Sequence, residues 1–205
     1  MNWATSQTSA PALEPVSSTE AELWCRVDVS DDDTIFTDII TAARVYVENF
    51  TRRQLITATW ALYLDQFYKP LKLPYPPLQS ISSITYVDTA GTTQTLAASQ
   101  YQVDAKTQPG RLTEAYGVTW PSTRDDTYNA VTITYVAGYG TAATSVPLPI
   151  KQAMRILIAS MYETMRTTGI TGTQLQTAKL SAGEANAVDS LLWPYRIHDF
   201  GASAI

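Results

Sequence analysis

The chain has 205 residues, of which 45% are hydrophobic and 16% charged, and it carries a formal net charge of -5. Its length fits one domain of ordinary size with tails, and its acidity, with no run of Lys or Arg, argues against a dedicated nucleic-acid binder, which needs cations to displace phosphate counterions. A single cysteine, Cys25, excludes an intramolecular disulfide, and no apolar run approaches the 18 residues expected of a membrane span.

Residues 1–17 are rich in Ala, Ser, Thr and Pro and are expected to be extended. Ser18 or Thr19 can cap a short helix over 19–26, with Glu20 and Glu22 in its favourable first turn. Ser30 and Asp33 resemble a capping box for a second helix over 32–53. Along it Ile35, Phe36, Ile39, Ile40, Ala43, Val47 and Phe50 recur at helical spacing. Residues 55–136 read as β. The stretch 55–68 alternates, KPLKLPYPP is a bend that cannot sit in a central strand, and 80–88 and 92–96 flank the turn DTAG. Residues 100–104 and 111–113 flank AKTQPG. Val131, Ile133 and Tyr135 alternate with Thr132 and Thr134, the mark of a half-buried strand. Gly138 and Gly140 allow a turn, Pro147 and Pro149 suit the start of a helix, and Ile150, Met154, Leu157, Ile158, Met161, Tyr162 and Met165 then fall on one face over 148–167. TTGITGTQ is a flexible break, with Gly169 and Gly172 at its hinge. A polar stretch runs on to Asn186, and large apolar residues return at the end: Leu191, Leu192, Trp193, Tyr195 and Ile197. These either fold back onto the core or form an arm that docks on a partner, as aromatic and Arg anchors do.

No catalytic or metal set emerges. His198 is the only histidine, so a zinc site or a Ser/His triad has little support. Asp31, Asp32 and Asp33 lack the spacing and glycine of a calcium loop and suit a helix N-terminus instead. Asp65, Asp88, Asp104, Glu114, Asp125 and Asp126 can supply a carboxylate pair for glycoside hydrolysis only on a geometry that sequence does not give. GYG at 138–140 lacks the Lys-Ser/Thr pair of a phosphate loop. Cys25 reads as a small buried apolar residue on a short helix.

Several segments, in order, resemble the head–tail connector (adaptor, or head-completion) family of tailed bacteriophages. They are SDDDTIFTDIITAARVYVENFTRRQL, LPYPPLQSISSITYVD, YQVDAKTQPGRL, ITYVAGYG, VPLPIKQAMRILIASMYETMR and the terminal LLWPYR, together spanning about residues 20–196. The resemblance implies an α+β fold: a small α-helical bundle with a β-rich antiparallel insertion and extended arms. It implies 18–168 as the core and 169–205 as a break and docking arm; residues 1–17, read from composition as an extended N-terminal arm, lie outside it. It implies a non-enzymatic virion protein of the neck, without cofactor or metal, assembled in the host cytoplasm. Its copies, usually twelve, would ring the DNA channel between the portal and a stopper or tail-completion protein. Double-stranded DNA would pass through without specific binding, and no membrane is involved. Leu191, Leu192, Trp193, Tyr195 and Arg196 would be the portal-binding arm. A conduit that does not grip DNA should be neutral or acidic, which makes Asp88, Asp104, Glu114, Asp125 and Asp126 candidate channel-lining residues. The alternatives are another neck or tail completion protein, or a carbohydrate-binding or hydrolysing tail protein, the latter suggested by 12 Tyr and 5 Trp.

Overall fold

A computed structural model describes residues 3–27, 33–168 and 180–198. The fold is α+β and divides into two units. A β-rich unit comprises residues 1–12, 57–139 and 197–205, and a helical unit comprises 13–56 and 140–196.

The β-rich unit contains β1 (Trp3–Ser9), β2 (Ala58–Leu64), β3 (Leu71–Leu73), β4 (Leu78–Val87), β5 (Thr93–Thr95), β6 (Tyr101–Asp104), β7 (Gly110–Glu114) and β8 (Val131–Ala137). Five strands form an antiparallel sheet in the order β1-β2-β8-β4-β5, and β3-β7-β6 form a second sheet. The central strand β8 is the alternating segment of the sequence. Its Val131, Ile133, Tyr135 and Ala137 are all buried. Ile133 sits opposite Leu62 of β2 and Ile84 of β4. Leu71, Leu73 and Leu112 of the smaller sheet join the same core. The Tyr135 hydroxyl finds a partner inside that core by donating to the Pro74 carbonyl at 3.0 Å, as a buried phenol usually does. DTAG forms the expected hairpin turn. Gly91 takes φ 85°, a backbone angle that side chains disfavour, and its N–H donates to the Asp88 carbonyl at 2.9 Å.

Two β elements differ from the sequence reading. Part of the expected N-terminal extension, residues 3–9, pairs antiparallel with β2 as an edge strand, with Trp3 opposite Leu64 and Gln7 opposite Trp60. Its side chains are almost all exposed, so it carries no alternation to read. The proline-rich bend also contains β3. Three residues are too few to show a period, and the strand lies at a sheet edge, where flanking prolines are tolerated.

The helical unit contains α1 (Ser18–Cys25), α2 (Asp33–Thr51), α3 (Leu148–Thr168) and α4 (Ala182–Leu192). The cap of α1 is Ser17 rather than Ser18 or Thr19; its Oγ accepts from the Glu20 N–H at 3.2 Å. Ser30 lies outside the described residues, and with it the capping box expected for α2. Phe36, Ile39, Ile40, Ala43 and Val47 of α2 are buried, as are Ile150, Met154, Leu157, Ile158 and Met161 of α3. The Phe36 and Tyr162 rings stack with centroids 4.8 Å apart. Glu20 ties α1 to α3 by accepting from Lys151 Nζ at 3.4 Å and Arg155 Nε at 2.9 Å.

The helix α4 is the largest departure. The sequence suggests a polar stretch where it begins and an arm where it ends. Instead Ser181 and Glu184 form a complete capping box, and Val188 and Leu192 are fully buried. One helical turn separates these two residues, so their spacing gives α4 a narrow apolar stripe for the bundle. The expected break at 169–172 lies outside the described residues.

Candidate interaction surface

The end of α2 and the C-terminal segment together build one ordered surface patch on the helical unit. The helix stops because Arg52 turns to φ 56°, and the Arg53 N–H reaches back to the Glu48 carbonyl at 3.2 Å. The Glu48 carboxylate fixes the following turn. Oε1 accepts from Gln54 Nε2 at 2.7 Å and the Leu55 N–H at 3.1 Å, and Oε2 accepts from Arg44 Nη1 at 2.9 Å. Arg53, nearly buried, donates from Nε to the Tyr195 carbonyl. On the other side of that contact, α4 runs into a 3₁₀ turn over Trp193–Tyr195, closed by the Arg196 N–H on the Trp193 carbonyl at 3.2 Å.

This arrangement brings Arg196 between two rings. Its guanidinium carbon lies 5.1 Å from the Phe50 centroid and 5.6 Å from that of Trp193, within cation–π range. Phe50 in turn stacks on Tyr46 at 6.3 Å. Spacing alone places Phe50 on the core stripe of α2, but it is a half-buried surface residue paired with Tyr46. The arm residues separate by burial. Leu192 is inside the bundle, Leu191, Tyr195 and Arg196 are half-buried, and Trp193 is 55% exposed. Only the outward members can meet a partner in this conformation. Sequence reasoning does not supply Tyr46, Phe50 and Arg53 as their neighbours. The available signal is Tyr46 and Phe50 at i, i+4, a spacing that places two aromatics side by side.

A second exposed patch lies on α1. Leu23 is 80% exposed and Trp24 is 47% exposed, and the Trp24 ring lies 5.7 Å from the Arg155 guanidinium carbon. An open groove of ≈ 590 Å³ beside them is lined by Trp24, Cys25, Arg26, Tyr162 and Arg166 among others. Cys25 is half-buried rather than buried, and burial pushes its thiol pKa up, away from nucleophile chemistry.

The acidic candidates serve local roles. The Asp88 carboxylate accepts from the Ala90 and Thr92 N–H groups at 3.0 and 2.9 Å and from Gln94. Hydrogen bonds from Arg111, then from the Lys106 and Thr107 amides and the Thr107 hydroxyl, hold the Asp104 pKa down at about 2. Glu114 pairs with Lys69 at 2.9 Å, and Asp126 pairs with Arg124 at 2.7 Å. Asp65 accepts from the Asn129 N–H at 3.0 Å. Asp104, Glu114 and Asp126 therefore have their charge offset within the chain. Among the described residues, Asp88 and the exposed Asp125 have no ion pair. Nor is any group of three or more His, Cys, Asp or Glu among the described residues placed to hold a metal ion. None of the described helices is long and apolar enough to cross a membrane. His198 is exposed, and Asp31 and Asp32 lie outside the described residues.

No protein-family model matches the chain, and no curated protein matches it. Solved structures do share its fold. A chain in the neck of an empty gene transfer agent particle, computed with C6 symmetry, superposes with a TM-score of 0.77 at 21% identity, covering 98% of this chain and 100% of that one. A chain of the virion of a native gene transfer agent particle superposes at 0.76 with 20% identity, covering 98% and 99%. A chain in the neck of a native particle, computed with C12 symmetry, gives 0.66 at 20% identity, covering 98% and 100%. At these identities the likeness establishes the fold.

Proposed function

We propose that this chain is a structural, non-enzymatic subunit of the neck of a phage-like particle, and that its copies form a ring of twelve between the portal and the tail. The observation carrying this reading is the end-to-end match of fold. Nearly the whole of the chain, helical unit and β-rich unit alike, corresponds to the whole of chains from particle necks, one of them computed with C12 symmetry. Fold alone does not fix function, but a match over the full length of both chains rests on every element rather than on one shared motif. It agrees with the connector resemblance carried by the sequence.

On this reading the channel wall is neutral to weakly acidic. Ion pairing offsets Asp104, Glu114 and Asp126, which leaves Asp88 and Asp125 as the candidates for net negative charge. A wall of that kind does not hold phosphate, so DNA slides past without specific contacts. The test is assembly. The purified chain is mixed with the portal ring of the same particle and analysed by native mass spectrometry and negative-stain microscopy. The expected product is a twelve-copy ring stacked on the portal. Persistence of monomers with no portal complex across protein concentrations would overturn the reading.

A further inference from the structure

We propose that neighbouring copies in the ring join through the Arg196 clamp of one copy and the exposed side of α1, over Glu22, Leu23 and Trp24, of the next. This rests on the neck reading and assigns the contact between subunits that it requires.

The clamp side is a cation prepared for an anion. Phe50 and Trp193 lie against the Arg196 guanidinium, which carries several N–H donors. Among the described residues, no carboxylate pairs with those donors. Arg44, Arg111, Arg124, Arg155 and Arg166 each find one within the chain; Arg26 and Arg52 do not, but among the described residues only Arg196 lies against two rings. The segment is also fixed in advance. The capped helix α4, the Trp193–Arg196 turn and the Arg53 contact hold it in place, so little ordering entropy is lost on docking. Tyr, Trp and Arg together are the side chains that dominate interface energies.

The α1 side is complementary in both charge and polarity. Glu22 is half-buried and makes no ion pair among the described residues, and Arg26, four residues on, does not pair with it. Leu23 and Trp24 follow it around the helix, the former the most exposed leucine among the described residues. The exposed side of α1 thus offers a carboxylate with no ion pair among the described residues, with large apolar groups following it around the helix, and the other surface offers a guanidinium with no carboxylate among the described residues, beside aromatic rings. Both belong to the helical unit and are different surfaces of it. A contact between two different surfaces is heterologous, the kind that closes into a ring when the rotation permits. A planar guanidinium also suits phosphate, but the chain's net charge of -5 and the apolar flanks favour a protein carboxylate.

The test is a reciprocal charge swap. Glu22→Arg and Arg196→Glu are made singly and together in the full chain, and thermal unfolding confirms that each folds. Ring formation on the portal is followed by native mass spectrometry. Each single change is expected to raise the concentration needed for rings by about tenfold or more, and the double change is expected to recover most of that loss, as for a close interfacial charge pair. If wild-type chain forms no rings, the neck reading falls and the interface with it. If wild-type rings form and the single variants assemble equally well, the interface alone is overturned. It is also overturned if the singles assemble but lose portal capture, which assigns Arg196 to the portal contact. Retention of a short DNA duplex by wild type but not by Arg196→Glu would assign the clamp to phosphate and likewise overturn the interface.

Discussion

Leu192→Ala separates a folded helix from a free arm. Leu192 has no exposed surface and lies on α4, which packs against α3. The substitution removes three carbons from the helical unit. At about 0.8 kcal/mol per buried carbon this is ~2.4 kcal/mol of lost transfer energy, and the residual cavity raises the expected cost to about 3–4 kcal/mol. For a chain of this size each kcal/mol moves the midpoint by about 2–4 °C, so a fall of roughly 6–16 °C is expected by circular dichroism melting, with a matching shift in the urea midpoint. Trp193, one residue on and 55% exposed, provides the control. Trp193→Ala removes a largely exposed ring together with its contact to Arg196 and is expected to cost less than Leu192→Ala, about 1 kcal/mol. Equal and small effects at both positions would show that residues 182–192 do not belong to the core and would refute the packing described for α4.

Other substitutions test the β-rich unit and one titration. A Cβ at Gly110 would lie 2.7 Å from Leu78 Cβ and Cδ2, so Gly110→Ala is expected to cost about 1–3 kcal/mol by overpacking, read from the urea midpoint. Tyr135→Phe leaves the Pro74 carbonyl without its donor and is expected to cost about 1–3 kcal/mol, with no change in the far-ultraviolet spectrum. Asp104 should titrate by NMR near pH 2, below its ordinary 3.8. Because the folded pKa is the lower one, its contribution to stability is present above the unfolded pKa and is lost as pH falls through the folded value. Arg111→Ala should move that midpoint back up, and an unchanged midpoint would remove Arg111 as the cause.

Legibility follows periodicity. The stripes of α2 and α3 and the alternation of β8 can be read from the sequence because each has one face in a core, and burial on one face is what imposes a period. Elements whose residues are not divided this way escape: β1 holds its place by backbone pairing while its side chains face solvent, and β3 is three residues long. Composition hides α4, since Ala, Gly, Asn and Ser fill it, although Ser181 and Glu184 stand at capping-box spacing in SAGE. The C-terminal apolar cluster stands out in the sequence, but its division between core and surface does not. Whether a large residue faces in or out depends on helical phase, and a segment read as an arm has no phase. The Arg196 clamp joins Phe50 to residues near the other end of the chain, a juxtaposition that arises only when α2 and the C-terminal turn meet through Arg53 and Tyr195.

The chain passes between its two units four times, at residues 12–13, 56–57, 139–140 and 196–197. During synthesis this imposes an order. Strands β1 to β8 have left the ribosome once Ala137 emerges, so the β-rich unit can then close its sheets. The helices α1 and α2 appear early and can meet only each other; α3, against which the α2 stripe packs, follows about a hundred residues later, roughly 5–20 s at typical translation speeds. Phe36, Ile39, Ile40 and Val47 therefore spend that interval exposed, a window in which nascent chains are open to chaperones or to one another. For the ring proposed above, which would need many copies of one subunit at one place, that interval falls before any assembly can shield those faces.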